Sequence, residues 1–231
     1  MTTRPTLCQP DYPMALLGQR EGQRLGQPVA VGPYRLHTLV RRSHMSLLCK
    51  ATREDGGEEV AVKLCRPDAD RDRFRREIEH TQGIRIRGVI KIEPRDVGMT
   101  KDGCPFYATH WISGPSLGEF LRDRSVALEA RLDAVEELCR IVAVLHEKGL
   151  SHRDLKPSNV MLADGKRVIL LDLGLARAEQ DRDLTLTGRH AGGTPGYCPP
   201  WTLDAPALSK DYERQWDVYS LGVILVEALT G

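Results

Sequence analysis

The sequence lacks any paired-cysteine pattern and any marked surplus of charge of one sign. Its 6 cysteines are scattered, with no C-x-x-C pair, which argues against a disulfide framework or a zinc site and favours reduced thiols in a cytoplasmic protein. The 33 basic and 32 acidic side chains leave a formal net charge of +1. Nothing in this balance indicates nucleic acid or a membrane surface as a partner.

Long apolar runs are also missing. The N-terminus does not combine a charged start with an apolar stretch, so no signal peptide is predicted. The longest apolar run near the C-terminus, residues 223–229, is interrupted by Glu227 and is far too short to span a bilayer. No membrane segment is therefore expected in this chain, and the content of 41% hydrophobic and 28% charged residues is ordinary for a soluble globular protein.

Three parts of the chain differ in pattern. Residues 1–32 are rich in Gln, Gly and Pro and predict a flexible leader or linker. Residues 33–112 contain several runs with the alternation of strands. Residues 113–231 contain an amphipathic helix at 127–148 and an apolar helix at 216–229. A strand-rich part followed by a helical part predicts an α+β fold with two lobes.

Two short polar segments carry the strongest functional signal. The segment S-H-R-D-L-K-P-S-N places a carboxylate (Asp154), an ammonium (Lys156) and an amide (Asn159) within six residues. Asp172-Leu-Gly follows 13 positions after Asn159, at the end of an apolar run. The first segment matches the protein-kinase catalytic loop H-R-D-L-x-x-x-N, and the second resembles the metal-binding D-F-G with Leu in place of Phe.

On these motifs, residues 34–231 resemble bacterial-type, eukaryotic-like serine/threonine protein kinases. The resemblance implies a two-lobed protein-kinase-like fold, with an antiparallel-sheet N-lobe and hinge at 33–112. A mainly helical, partial C-lobe at 113–231 would end early. It also implies ATP and Mg²⁺ as cofactors and a protein substrate with a Ser or Thr acceptor. Because the chain stops after its apolar helix, a missing C-terminal region or a partner is expected to cover that helix.

The resemblance assigns roles to matching positions. Asp154 would be the catalytic base, and Lys156 would neutralise charge on the transferring phosphoryl group. Asn159 and Asp172 would bind Mg²⁺ through their oxygen atoms, which this ion prefers. Lys63, in the strand segment V-A-V-K, would contact the α- and β-phosphates.

Further roles follow from the same resemblance. Glu77 is the expected partner of Lys63, with Glu79 as the alternative. Thr194 would bond to the catalytic carboxylate or to the lysine beside it. Asp217, in a buried helix, would brace the backbone of the catalytic loop.

The adenine pocket is less specific, because each of its candidate residues would serve equally well in a core. The resemblance implies that backbone groups at His110 and Ile112 bond to the adenine edge and that Thr109 is a small gatekeeper. Three apolar side chains would enclose the ring: Ala61, Leu48 and Met161.

One expectation concerns regulation. Arg153 would pair with a phosphate on the activation loop, for which Thr185 and Thr187 are candidate acceptors.

The sequence departs from the family at several positions. Arg41, Ser43 and Ser46 stand where the family's glycine-rich loop has glycines, whose backbone can approach phosphates closely. Pro200 replaces the Glu of A-P-E, and Thr81 occupies a helix position that is normally apolar.

These departures keep two alternatives open. The leading hypothesis is phosphoryl transfer from ATP to protein Ser or Thr, including autophosphorylation. The first alternative is a pseudokinase that acts as a nucleotide-binding or interaction module. The second is a small-molecule phosphotransferase of the aminoglycoside type, against which Lys156 and the segment G-T-P-G-Y argue.

Overall fold

We describe the fold from a computed structural model, which covers residues 11–172, 177–178, 194–203 and 210–231. The chain forms two compact units. The first comprises Met1–Gln82 and Lys91–Trp111, and the second comprises Gly83–Ile90 and Ile112–Gly231. This division differs from the predicted one at residues 33–112 and 113–231. The difference arises because Gly83–Ile90 contributes Ile84, Ile86 and Val89 to the core of the second unit.

A six-stranded antiparallel sheet forms most of the first unit, with the strand order β1-β2-β3-β4-β6-β5. The strands are β1 (Arg24–Val31), β2 (Tyr34–Arg42), β3 (Ser46–Arg53), β4 (Glu59–Cys65), β5 (Val97–Met99) and β6 (Pro105–His110). One α-helix, α1 (Arg71–Gln82), and two 3₁₀ helices, Met14–Gly18 and Pro94–Asp96, complete the described part of this unit.

The two faces of this sheet differ in burial. On β4, Val60, Val62 and Leu64 are buried, whereas Ala61 and Lys63 point to the other face and are half-buried. The alternation follows from the period of two along a strand. The buried face packs an apolar core that includes Leu36, Leu39 and Phe106.

The prediction that residues 1–32 form a flexible leader is wrong for residues 11–32. Leu16, in the first 3₁₀ helix, is fully buried, and Leu25 and Val31 anchor β1 beside β2. The strand is hard to recognise because its register shifts between Arg24 and Val29 and a proline, Pro28, lies within it. Proline is tolerated there because β1 is the edge of the sheet.

The second unit is mainly helical in its described residues. Its helices are α2 (Leu117–Arg122), α3 (Leu128–Glu147) and α4 (Lys210–Thr230), and two 3₁₀ helices lie at Pro157–Asn159 and Pro200–Leu203. Two small antiparallel pairs join β7 (Leu150–Ser151) to β10 (Arg177–Ala178), and β8 (Val160–Ala163) to β9 (Arg167–Leu170). The predicted α+β class, with a sheet first and helices second, is confirmed.

The helices of this unit follow ordinary start and packing rules. α2 begins with a capping box, in which Ser116 Oγ accepts the Glu119 amide while the Glu119 carboxylate accepts the Ser116 amide. α3 turns Val135, Leu138 and Val142 into the core, as its periodicity predicts. Residues 88–92 form no strand in the structure, and Val89 makes a single isolated bridge there, to Leu170.

Glycine is required at position 114 because the backbone of β8 lies very close to it. Its φ is 136°, and a Cβ atom at this position would lie 2.0 Å from the carbonyl oxygen of Leu162. The segment is held against β8 because Leu162 N donates to Pro115 O and Asp164 N donates to Ser113 O. Only glycine adopts this conformation without strain.

The apolar helix α4 is only partly covered in the described structure. Trp216, Ile224 and Ala228 are buried, but four of its apolar side chains are exposed: Val218, Leu225, Val226 and Leu229. Among the residues that the structure describes, no helix has the length and apolar character needed to cross a membrane.

We expect Leu16→Ala to destabilise the protein by about 2–5 kcal/mol, because it removes a fully buried side chain and leaves a cavity. Met14→Ala is the matched control, since Met14 lies in the same 3₁₀ helix and is 63% exposed. Chemical denaturation of both variants checks this. Equal stability of the two variants would contradict the packing of residues 11–32.

Candidate active site

The buried carboxylate of Asp217 fixes the backbone that precedes Asp154. Asp217 lies in α4 and is fully buried. Its two oxygens accept the backbone N–H groups of His152 and Arg153, each at 2.8 Å, and the ring nitrogen Nε2 of His146 lies 2.8 Å from Oδ2. A buried carboxylate is stable only with such donors. The loop 152–159 therefore starts from a fixed point, as predicted.

His152 connects the two motif segments. Its ring is buried, its Nδ1 lies 3.3 Å from the backbone nitrogen of Asp154, and its Nε2 lies 3.1 Å from the carbonyl oxygen of Leu171. Because Nδ1 accepts a backbone N–H, we assign the remaining proton to Nε2, which then donates to Leu171 O. The neutral ring thus ties the catalytic-loop segment to the residue before Asp172.

Both motif segments contain a residue in the left-handed region. Arg153 has φ 65° and Asp172 has φ 49°. A non-glycine residue there costs roughly 1–3 kcal/mol, and such residues concentrate at functional sites. At Arg153 the guanidinium lies 5.4 Å from the ring centre of Trp216, within cation–π range. The surrounding contacts hold both segments in conformations that an isolated chain would avoid.

Asp154, Lys156 and Thr194 form a closed hydrogen-bonded triangle. Lys156 Nζ donates to Asp154 Oδ2 at 2.8 Å and to Thr194 Oγ1 at 2.6 Å. Thr194 Oγ1 in turn donates to Asp154 Oδ1 at 2.7 Å. The Asp154 and Lys156 side chains are 18% and 15% exposed, so the pair is largely but not completely removed from water. Thr194 was expected to reach one of the two residues and contacts both.

Asn159 and Asp172 lie at the same end of the β8–β9 hairpin. The backbone N–H of Leu171 donates to the Asn159 carbonyl at 2.8 Å, so Asp172 follows directly after a residue paired with Asn159. Asn159 Nδ2 donates to the carbonyl and carboxylate of Asp154, at 3.0 and 3.2 Å. This bond turns the amide oxygen Oδ1 away from Asp154. An amide oxygen and a carboxylate on adjacent chain segments suit Mg²⁺, which takes hard oxygen ligands.

Lys63 and Glu77 form the predicted ion pair within the first unit. Lys63 Nζ lies 2.6 Å from Glu77 Oε1, and the two side chains are 15% and 11% exposed. Glu79, the alternative, is exposed. The pair has a third member, because the Tyr107 hydroxyl donates to Glu77 Oε1 at 2.8 Å. Tyr107 was not singled out by sequence reasoning; it stands opposite Lys63 in the β4–β6 register, which only the strand pairing reveals.

The residues predicted to hold adenine are distributed over both units. Leu48, Ala61 and Thr109 lie on one face of the sheet, since Thr109 stands opposite Ala61 and Leu48 stands opposite Lys63. Ile112 and Met161 belong to the second unit. His110 ends β6, and its ring Nδ1 lies 2.6 Å from the Glu58 carboxylate. The adenine site itself stays a prediction.

The segment that replaces the glycine-rich loop is held by side chains. Ser43 Oγ accepts the backbone N–H groups of Met45 and Ser46, at 3.2 and 2.9 Å. Arg66 donates its backbone N–H to the Met45 carbonyl and its guanidinium to the Ser43 carbonyl. These bonds give the loop a defined conformation without glycine.

Thr81 is buried at its normally apolar position because its hydroxyl has a partner within the helix. Thr81 Oγ1 donates to the Glu77 carbonyl at 2.8 Å. A buried hydroxyl with a hydrogen bond avoids most of the desolvation penalty.

Tyr197 anchors the segment after Thr194 to α4. Its hydroxyl donates to Glu227 Oε1 at 2.5 Å, and its carbonyl accepts the Ser220 hydroxyl at 2.7 Å. Burial and the hydrogen bond to the Glu227 carboxylate together raise the pKa of Tyr197 to about 12, so the phenol stays a donor at neutral pH. This attachment was not foreseen, because sequence reasoning followed only the missing Glu at Pro200.

Some predicted residues lie outside the described structure. They are the remainder of the D-L-G motif, Leu173 and Gly174, and the candidate phosphorylation sites Thr185 and Thr187.

A comparison with known families agrees with the geometry. The sequence model of the family described as protein kinase domain matches residues 42–231. The chain belongs to the protein kinase domain family. The motif residues from Lys63 to Asp217 lie within the matched range, whereas Arg41, β1 and the first 3₁₀ helix precede it.

This kinase domain also resembles curated bacterial proteins. It is 36% identical over 213 residues to the probable serine/threonine-protein kinase PkwA of Thermomonospora curvata, covering 89% of the chain and 27% of the relative. It is 30% identical over 181 residues to the serine/threonine-protein kinase PknB of Mycolicibacterium smegmatis, covering 75% of the chain and 28% of the relative. The chain thus spans less than a third of these relatives' length.

We expect Asp217→Asn to destabilise this kinase domain by about 2–4 kcal/mol, since an amide places an N–H against one of the backbone donors. Asp164→Asn is the control, because Asp164 is exposed and its carboxylate pairs only with Arg167 among the residues that the structure describes. Thermal unfolding of the two variants measures the difference. An Asp217→Asn protein as stable as the control would contradict the bracing role.

Proposed function

We propose that this domain transfers the γ-phosphoryl group of ATP, with Mg²⁺, to Ser or Thr hydroxyls of proteins, including its own. One observation carries the proposal: Asp154 is held by Lys156, Thr194 and Asn159 in a largely buried arrangement, beside the segment that leads to Asp172. A carboxylate for the acceptor proton, a cation for phosphate charge and two oxygen ligands for a metal are the parts that phosphoryl transfer needs.

The carboxylate of Asp154 has capacity for one more donor. Two ionised oxygens offer about four lone-pair sites. Oδ2 accepts Lys156 and Asn159, whereas Oδ1 accepts only Thr194 from the described part of the chain. An acceptor hydroxyl can therefore donate to Oδ1, which orients its oxygen for attack on phosphorus. As the new O–P bond forms and ADP departs, the hydroxyl proton passes to Asp154.

Cationic side chains balance the charge of the nucleotide in this proposal. Lys156 lies against the reacting carboxylate and would neutralise the transferring phosphoryl group. Lys63, oriented by Glu77 and Tyr107, would contact the α- and β-phosphates. Mg²⁺, when bound by Asn159 and Asp172, supplies further neutralisation of phosphate oxygens.

A pseudokinase remains the second candidate, and a specific observation favours it. The backbone N–H groups of Met45 and Ser46 are already bonded to Ser43 Oγ, so they are not presented to phosphate as in a glycine-rich loop. A small-molecule phosphotransferase is supported less, because Thr194, in the G-T-P-G-Y segment that resembles the substrate-docking loop of protein kinases, bonds directly to Asp154 and Lys156.

The partners and location of the protein follow as proposals. A Ser- or Thr-containing polypeptide is the expected substrate, and the use of ATP supports a cytoplasmic site of action. The exposed apolar side chains of α4 support coverage by further polypeptide or by a partner, because such a surface favours association.

We expect Asp154→Asn to lower phosphoryl transfer by about 10²–10⁴-fold, because an amide cannot accept the hydroxyl proton. The assay incubates the purified chain with Mg²⁺, γ-labelled ATP and a Ser- and Thr-containing polypeptide, and identifies the labelled amino acids. Asp133→Asn is the control, since Asp133 is exposed on α3.

Three outcomes of this assay separate the candidates. Label on Ser or Thr that is lost only in Asp154→Asn supports the kinase. Thermal stabilisation by Mg-ATP without any transfer supports the pseudokinase and contradicts the proposal. Label that appears only on an added aminoglycoside supports the small-molecule enzyme and likewise contradicts it.

We expect Lys63→Met to abolish transfer or to raise the ATP concentration needed for half-maximal rate, since it removes the ammonium that Glu77 and Tyr107 orient. Kinetics as a function of ATP concentration measure this. Lys50→Met, on the neighbouring strand, is the control. Unchanged kinetics in Lys63→Met would remove Lys63 from the site.

A further inference from the structure

Two adjacent arginines, Arg41 and Arg42, end β2 where the family has its glycine-rich loop, and their environments differ. The guanidinium of Arg42 donates to the carbonyl oxygens of Leu16, Leu17 and Gln19, at 3.1, 2.7 and 2.5 Å. These three acceptors belong to or follow the first 3₁₀ helix. The guanidinium of Arg42 therefore holds the N-terminal segment against the sheet.

The backbone of the loop that follows, at residues 42–46, is also hydrogen-bonded within the protein. Arg42 N donates to Glu21 Oε1 at 2.6 Å, and Ser43 N donates to the Ser46 carbonyl at 2.8 Å. The N–H groups of Met45 and Ser46 donate to Ser43 Oγ. These four N–H groups already have acceptors inside the protein. Any phosphate contact from this segment consequently falls mainly to its side chains.

Arg41 is exposed on the strand that leads into the loop. The structure shows no ion pair or side-chain hydrogen bond for Arg41 with the residues it describes. A guanidinium without an internal partner keeps its five donors for a ligand.

An irregularity in the sheet decides which face Arg41 occupies. Leu39 stands opposite Cys49, but Arg41 rather than Val40 stands opposite Leu48, so one extra residue is inserted in β2. Such a bulge re-aims the following side chain. Leu48 in turn stands opposite Lys63 on β4.

This register places Arg41 on the same face of the sheet as Lys63. Residues directly opposite one another on neighbouring strands share a face, and two strand spacings separate these two by roughly 10 Å between backbones. Both side chains are long enough to approach one anionic chain lying between them. This face also carries Glu77 and Tyr107, which orient Lys63.

We propose that Arg41 binds the phosphate chain of the nucleotide through its guanidinium and so replaces the backbone donors that the loop has committed elsewhere. The inference rests on the proposed use of ATP and adds a specific residue to it. A planar guanidinium suits this purpose because it can make two parallel hydrogen bonds to phosphate oxygens. Selectivity for nucleoside di- and triphosphates over the nucleoside follows from it.

Calorimetric titration of the purified chain with ATP, ADP and adenosine, each with Mg²⁺, tests this. Arg41→Ala should weaken ATP and ADP binding about tenfold, as expected for loss of a charge-assisted hydrogen bond, and leave adenosine affinity unchanged. Arg41→Lys should recover part of the loss. Arg35→Ala is the matched control, since Arg35 is an exposed arginine of the same strand that pairs with Glu54 at the other end. Its affinities should equal the wild type's.

Three other outcomes overturn the proposal, and a fourth upholds it while rejecting the proposed function. Unchanged ATP affinity in Arg41→Ala excludes the phosphate contact. An equal loss for ATP and adenosine assigns Arg41 a structural role, which a lowered unfolding temperature would accompany. A wild-type chain that binds none of the three ligands removes both this proposal and the proposed function. Selective loss of ATP affinity in a chain that transfers no phosphate keeps Arg41 as a phosphate ligand and rejects only the kinase.

Discussion

The contacts of one buried carboxylate fix the geometry of the candidate site. Asp217, in α4, has no exposure to water and accepts the backbone N–H groups of His152 and Arg153. A charge in this position is stable only while these donors stay in place, so the carboxylate and the loop constrain one another. Arg153 can keep its left-handed backbone because these bonds offset the strain. The side chain of Asp154 then projects from the loop in a fixed direction.

A second set of contacts carries that constraint to the neighbouring segments. His152 bonds to the Leu171 carbonyl, and the Leu171 amide bonds to Asn159. Asn159 in turn donates to Asp154. These hydrogen bonds form a closed network that begins and ends in the loop 152–159, so a displacement of one residue strains the bonds of the others. Thr194 is connected to this network because its hydroxyl donates to Asp154. Within the second unit, the position of the segment at Thr194 and the position of the Asp154 carboxylate are therefore linked.

Sequence reasoning succeeded where chemistry is local. Asp154, Lys156 and Asn159 lie within six residues, and their pattern alone indicated their proximity. Glu77 could be matched to Lys63 from the family resemblance. Tyr107, by contrast, comes 30 residues after Glu77 and meets it only through strand pairing. The attachment of Tyr197 to Glu227 likewise spans 30 residues and has no local signal. The packing of residues 11–32 was missed because an irregular edge strand does not alternate cleanly.

The N-terminal segment bears on where this folding unit begins. The family match starts at residue 42, in the last position of β2, yet β1 and most of β2 precede it. A fragment that starts at residue 42 would lack β1 and nearly all of β2, the two neighbouring strands at one edge of the sheet. Its β3 would then be a long unpaired edge. Exposed edges of this kind recruit other chains through their free backbone groups. The start of the family match and the start of the folding unit are thus separate properties of this polypeptide, and insoluble material from a truncation at residue 42 would say nothing about the enzyme itself.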